Sequence, residues 1–415
     1  MKRFHYSWIV CLSCTMLLAC TMGFCNNVFS IYLPYLEAVY LTGAQASALL
    51  SIRCFFGIVG MLLVDRFYQR FSLRTGLTLA CLVTALAFAL YALADTVWMY
   101  DLAAAISGIS YGLGTMIPVS ILIRNWFLQS RSTAIGICAS GSGISAVLFP
   151  PLLVRIVEAK GLAAAFAFQA LIAFGVALLV LCSVRDTPTE KAMRPYGVGD
   201  DAVPPPLPAN TTSVSGERNR CRHTPKTLLI LAACLCTGAV SSSAPGHFSA
   251  HFANQGYAMS MVSLGVSTFG IALTIGKPLC GMQFDRIGGK WASPIFLSLA
   301  LAGSVCCCFS DGENLISMFA GLIFMGTGLS IATVGIPIWA GDFSTPDTYR
   351  SVLKWFQVIY AAGGVLCSFL PGMVFDHTGS YVQAYVFMAV LLGIVMVIIV
   401  WSYSGNTDTR SDQAN

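Results

Sequence analysis

Between Trp8 and Tyr403 the chain returns twelve times to an apolar run of about twenty residues or more. The runs cover 8–36, 44–64, 75–95, 99–123, 132–154, 162–184, 227–250, 259–284, 292–310, 315–340, 351–374 and 384–403. At a rise of about 1.5 Å per residue, each is long enough to cross a hydrocarbon core of about 30 Å. Hydrophobic residues make up 56% of the 415 and charged residues only 10%. A soluble domain carries about 25% charged residues, so this chain has too few to cover a water-facing surface. The expectation is a polytopic, all-α membrane protein with twelve transmembrane helices.

The first run, "MKRFHYSWIVCLSCTMLLACTMGFC", has the outline of a signal peptide, and its "LLAC" that of a lipoprotein cleavage box. With so many spans behind it, an uncleaved first helix is expected. The sixteen Cys lie scattered in apolar segments, and Cys11 and Cys14 form a CxxC with no His or second pair nearby. They read as small apolar fillers rather than metal ligands. Lys and Arg set the orientation. With the N-terminus inside, 19 of the 23 fall on the cytoplasmic side, and the external loops receive only Arg155 and Lys160. The remaining two, Arg53 and Lys277, lie within spans.

Between spans six and seven lies a polar, Pro-rich stretch without periodicity, expected to be a flexible cytoplasmic linker. It divides the chain into residues 1–185, an N-terminal six-helix bundle; 186–226, the linker; 227–404, a C-terminal six-helix bundle; and 405–415, a cytoplasmic tail. The sequon at Asn210 would be inert on that side. The two halves echo each other. "VDRF" at Asp65 follows span two as "FDRIGGK" at Asp285 follows span eight, and "ASGSGISAVLFPP" in span five parallels "AAGGVLCSFLPG" in span eleven. Span four carries Gly112-x-Gly114 and then Pro118; span ten carries Gly326-x-Gly328 and then Pro337. Parallel repeats of this kind are a transporter architecture.

Gly281-Met-Gln-Phe-Asp285-Arg286-Ile-Gly288-Gly289-Lys290 resembles G-x-x-x-D-R-x-G-[RG]-[KR], the loop signature of the major facilitator superfamily. The first-half copy departs from it: Gly60 stands five residues before Asp65 and no Gly follows. "WFLQSRSTAIGICASGSG", which contains Arg131, and the later "GSYVQAY" resemble the oxalate/formate antiporter and monocarboxylate porter-like group. The resemblance implies the major facilitator fold, two pseudo-symmetric six-helix bundles working by alternating access. It assigns Asp285, Arg286, Gly281, Gly288, Lys290, Asp65, Arg66 and Arg131 to gating motifs. In that group span eight carries R-P-x-x-G, whose arginine meets the substrate carboxylate; here the match reads Lys277-Pro278-Leu279-Cys280-Gly281. The span-eleven lysine of oxalate-type members is missing from "YAAGG", which argues against oxalate. Leu273 stands where monocarboxylate porters tend to place an Asp.

Lys277 lies about 12 Å along the helix from Asp285, and Arg53 about 18 Å from Asp65, at 1.5 Å per residue. Ser267, Gly270, Thr274, Lys277 and Gly281 recur every three or four residues as one small and polar stripe, expected to face inward. No Asp or Glu falls well inside a span: Glu37 and Asp101 sit at external ends, and Asp65, Asp285 and Asp342 at internal ones. Two mid-membrane cations in such surroundings suggest an anionic cargo. Substrate-binding candidates are therefore Lys277, Arg53, Asn26, Asn27, Tyr111 and Tyr360, although an amide or phenol serves equally well to bond a neighbouring helix. His247 and His251 are candidates for proton carriage, against the plainer role of polar residues at a helix mouth.

Gly108-Ile-Ser110-Tyr-Gly112 is a formal G-x-S-x-G, but it lies in an apolar helix and not at a strand-turn-helix elbow. Gly141-x-Gly143 lacks the strand and acidic residue of a dinucleotide site. Neither signals an enzyme, and no Walker motif occurs, so ATP is not expected to drive the protein directly; a non-enzyme without cofactor or metal is expected. The function expected is secondary transport of a small organic anion, a mono- or dicarboxylate. Efflux of amphipathic drugs or metabolites, or a non-transporting sensor of this fold, are the alternatives. Its partners are the anion, the lipid bilayer and either coupled protons or a counter-transported anion; nucleic acid is not among them, and a monomer is expected.

Overall fold

The computed structural model describes residues 5–33, 35–36, 41, 43–197, 225–368 and 370–404. Glu37, the sequon at Asn210, most of the central linker and the tail from 405 lie outside the described residues. The chain divides into two compact units, Met1–Ser215 and Gly216–Asn415. Among the described residues there is no strand, only an isolated bridge between Phe127 and Tyr196. Spanning segments must satisfy their own backbone donors and acceptors, and helices do this without a neighbour.

In the first unit α1 (Ser7–Leu18) continues into a π-helix (Ala19–Val28) and a 3-10 turn (Phe29–Tyr32). Then come α2 (Gly43–Arg70), α3 (Leu73–Leu93), α4 (Val97–Leu113), α5 (Met116–Trp126), α6 (Arg131–Lys160) and α7 (Leu162–Ser183). Span four is thus two helices, α4 and α5, broken at Gly114 and Thr115. The break leaves Pro118 in the first turn of α5, where no backbone donor is required. The second unit holds α8 (Pro225–Asn254), α9 (Met259–Cys308), α10 (Leu315–Leu329), α11 (Ile331–Asp342), α12 (Tyr349–Cys367), α13 (Leu370–Thr378) and α14 (Val382–Ser404).

Eleven continuous helical stretches among the described residues are long and apolar enough to span a membrane, one fewer than the twelve expected runs. The difference lies in α9. Its 50 residues are two spans joined at Gly288, whose φ of 75° and ψ of 166° interrupt the helix. That conformation is costly for any residue with a Cβ, so the signature glycine provides the corner between spans eight and nine. In the first unit the corresponding helix, α2, runs unbroken through Asp65 and Arg66 to Arg70. The degraded copy without its glycine makes no such corner.

The internal echo is structural. In the first unit α1 and the π-helix pack on α6, α2 on α4, and α3 on α7; in the second, α8 packs on α12, and α9 on both α10 and α14. A Cβ on Gly141 would run into the Thr15 carbonyl oxygen, and one on Gly363 into that of Leu235. Spans one and five, and seven and eleven, therefore touch backbone to backbone at a glycine of span five and one of span eleven, as small-residue packing in membranes requires. Gly108 of the rejected G-x-S-x-G does the same against the Arg53 carbonyl.

One expectation needs correction. Residues 186–197, assigned to the flexible linker, are folded onto the first unit. Asp186 accepts from Leu73 N at 3.1 Å and Arg74 N at 2.7 Å, capping α3. Asn125 Nδ2 donates to Asp186 O and Trp126 Nε1 to Arg185 O. Thr187 and Glu190 close a capping box on the 3-10 turn Pro188–Lys191. Tyr196 bonds Trp126 and Leu128 through its backbone, and its ring lies 5.5 Å from His5 and 5.7 Å from Trp8. Composition signals a polar segment, but not that its aromatic and capping residues match the exposed helix ends beside it.

Candidate functional site

Lys277 lies in the first half of α9 and is 2% exposed. The helix around it has two faces. Ile271, Ile275 and Leu279, spaced by four residues, are 47%, 55% and 43% exposed and form the outer one. On the other side Gly270 and Thr274 are half-buried, while Lys277 and Gly281 are buried. The stripe thus turns into the unit over this stretch, and Ser267 above it is exposed. The hydroxyls of Ser267 and Thr274 donate to the Ser263 and Gly270 carbonyls at 3.0 Å and 2.7 Å, so both bond within their own helix. A Cβ on Gly276 would lie 3.0 Å from Thr327 Cα, close to where α10 gives way to α11. Lys277 takes part in a polar or electrostatic contact within the chain.

In the first unit Arg53 of α2 is 7% exposed. Its Nη2 donates to Asn26 Oδ1 at 3.2 Å, and its Cζ lies 5.7 Å from the centre of the Phe29 ring. Its Nη1 is buried without an acceptor among the described residues. A buried donor left unbonded costs about 1–3 kcal/mol, and more when it is charged. Asn26 is exposed on the π-helix, and Asn27 beside it is exposed as well. Asn27 Nδ2 donates to Ser142 O at 2.9 Å, tying the π-helix to α6. π-Helical turns are rare and occur frequently at functional sites. Sequence reading selected Asn26, Asn27 and Arg53 separately; the fold bonds the first to the third. Neither the π-helix nor the Phe29 contact was legible.

The other candidates are dispersed. Tyr111 of α4 is half-buried, with its ring 3.1 Å from where a Cβ on Gly57 would stand, one turn along α2 from Arg53. Tyr360 of α12 shares a 2.8 Å hydrogen bond with Ser241 Oγ of α8. His247 lies 2.9 Å from Ser243 O through Nδ1. His251 is fully buried: its Nε2 donates to Cys307 O at 2.9 Å, and its ring lies 4.4 Å from that of Tyr385. It therefore ties α8 to α9 and α14. Among the described residues its Nδ1 has no partner.

Of the loop-signature residues, Asp285, Arg286 and Lys290 are exposed and Gly281 is buried. Lys290 Nζ lies 5.8 Å from the Trp291 ring centre. Asp65 is half-buried and Arg66 exposed on the unbroken α2. Arg131, also half-buried, donates through Nε to Phe127 O at 3.1 Å, closing the end of α5.

Two units with matching helix pairings, each with one buried Arg or Lys within a span among the described residues, are the architecture of a polytopic membrane protein. The sequence matches the Major Facilitator Superfamily over residues 15–260 and 227–415, and the chain belongs to that superfamily. That family is one of transporters and not of enzymes. Monocarboxylate transporter 13 of Bos taurus is 24% identical over 390 residues, covering 92% of this chain and 85% of that protein. The agnestins efflux protein of Paecilomyces divaricatus is 23% identical over 403 residues, covering 91% and 82%. Among solved structures, the transporter FucP in its outward conformation superposes with a TM-score of 0.74 at 15% identity, covering 95% of this chain and 98% of that one. The proton:xylose symporter XylE gives 0.70 at 14%, covering 95% of both. These likenesses show the fold.

Proposed function

We propose that this transporter carries a small organic anion, a mono- or dicarboxylate, by alternating access, and that Lys277 binds the carboxylate. The observation that carries this reading is the burial of Lys277 on the packed face of α9, opposite Ile271, Ile275 and Leu279. A charge is costly in hydrocarbon and, where it occurs within a span, marks a pathway or a pairing. Relatives that include a monocarboxylate transporter support the reading. Arg53, Asn27, Tyr111 and Tyr360 are the further substrate contacts, Asn26 stands beside them on Arg53, and Asp285 to Lys290, with Asp65, Arg66 and Arg131, serve gating. The termini and the linker lie in the cytoplasm, as the distribution of Lys and Arg favours.

The test is uptake of labelled acetate, lactate and succinate into proteoliposomes holding the purified full chain. Saturable uptake of at least one supports the reading, and no uptake or exchange of any removes it. A second reading, efflux of an amphipathic metabolite, is favoured by the efflux relative. It predicts export of apolar compounds that carboxylates do not inhibit.

A further inference from the structure

The guanidinium of Arg53 is half used. Nη2 donates to a neutral amide oxygen, Asn26 Oδ1, at 3.2 Å, while Nη1 is buried with no acceptor among the described residues. Charge-assisted bonds from a guanidinium to a carboxylate run shorter, about 2.7–2.9 Å, and are roughly twice as strong as neutral ones. The two nitrogens form a flat fork that one carboxylate fills and one amide oxygen does not. Cζ lies over the Phe29 ring, 5.7 Å from its centre. Asn26, by contrast, is exposed, and it stands on a π-helix and not on regular α-helix.

We propose that Asn26 is a placeholder: its amide oxygen holds the place on Arg53 that one oxygen of the cargo carboxylate takes. This rests on the anion-transport reading above and assigns to it a second recognition point, in the first unit. Arg53 meets the cargo and Asn26 is the positioning residue. Nη1 is buried and Nη2 already bonds Asn26 Oδ1, so a carboxylate fills both arms of the fork only as Asn26 gives way. The arrangement selects for charge. A neutral cargo offers Arg53 nothing better than the amide already present, whereas a carboxylate supplies both a stronger bond to Nη2 and an acceptor for Nη1. The amide also keeps a buried cation partly solvated by protein, yet it holds weakly enough to be displaced.

The experiment uses the full chain, with whichever of acetate, lactate and succinate the wild type takes up; inorganic phosphate is added as competitor, and ligand-free melting is measured in detergent. Asn26→Asp places a permanent carboxylate on the fork. It is expected to raise the ligand-free melting temperature and to raise KM about tenfold or more, the factor that a lost bond of roughly 1.4 kcal/mol gives. Asn26→Ala removes the placeholder; it is expected to lower the melting temperature and to leave KM unchanged or lower. Phosphate is expected to compete less well than the carboxylate itself. Wild-type KM in Asn26→Asp would show that Arg53 is purely structural and overturn the proposal. A tenfold rise of KM in Asn26→Ala would overturn it too, because Asn26 would then be a direct contact; that arm decides even if Asn26→Asp does not fold. If phosphate competes as strongly as the carboxylate, the site is a general anion site and carboxylate recognition by the fork is overturned. Failure of the transport reading looks different: the wild type itself takes up none of the three acids.

Discussion

The Tyr403 hydroxyl donates to Asp342 Oδ2 at 2.6 Å, joining the end of α14 to the end of α11. Gly289, next to the corner residue Gly288, lies directly beneath this pair. A Cβ there would collide with Tyr403 Oη and come to 2.7 Å from Asp342 Oδ2. The second glycine of the "GG" in the superfamily signature thus lets two helix ends close over the corner between spans eight and nine.

Gly289→Ala is expected to lower stability by about 1–3 kcal/mol, the usual cost of forcing a methyl into a packed contact. Tyr403→Phe combined with Gly289→Ala should recover part of this, because it removes the hydroxyl that the methyl strikes. Melting of the two variants in detergent checks the pairing.

Gly141→Ala and Gly363→Ala should destabilise to a similar degree, about 1–3 kcal/mol each, since each methyl meets a backbone carbonyl that cannot move aside. Gly175 in α7 has nothing within 4 Å of its would-be Cβ. Gly175→Ala should be neutral or should stabilise by about 0.5–1 kcal/mol, from helix propensity alone. Equal losses at 141 and 363 against no loss at 175 would show that the two halves use one packing device.

Much of this fold was readable in the sequence because a bilayer leaves few choices. Apolar runs of span length must be helices, and a duplicated half repeats its glycines and prolines at matching places. Lys277 stood out because a charge inside such a run is rare. The geometry around Arg53 was not readable. A π-helix changes which residues share a face, so helical spacing does not bring Asn26 to Arg53. Likewise, the docking of residues 186–197 depends on unsatisfied groups at neighbouring helix ends, which composition does not reveal.

Asp186 gives the docking of residues 186–197 a pH dependence. Burial raises its carboxyl above the ordinary 3.8, against the downward pull of the Arg74 and Leu73 N–H groups. The folded protein therefore keeps a proton that the unfolded chain has given up. Stability then falls as pH rises from 3.8 through the raised value and is level above it. Asp186→Asn removes this slope, which melting curves taken in steps between pH 4 and pH 7 would show.

His251 is a tie between helices, and its substitution should be costly in stability. His251→Ala removes one of two bonds to the Cys307 carbonyl, which keeps that of the Ser310 hydroxyl, and leaves a cavity beside Tyr385, an expected loss of about 2–4 kcal/mol. His251→Gln, which can keep the bond to Cys307 O, should retain more of the melting temperature. If the alanine variant melts like the wild type, the tie is not structural.

The central claim is that Lys277 meets the carboxylate of the cargo. The direct measurement is kcat/KM for carboxylate uptake in proteoliposomes, comparing wild type, Lys277→Ala and Lys277→Arg at equal reconstituted protein. Removing one side of a buried, hydrogen-bonded charge contact costs about 2–5 kcal/mol, so Lys277→Ala should lose roughly thirtyfold or more, at 1.4 kcal/mol per tenfold. Lys277→Arg, with the charge kept, should lose less. Uptake by a folded Lys277→Ala at the wild-type kcat/KM would contradict the account.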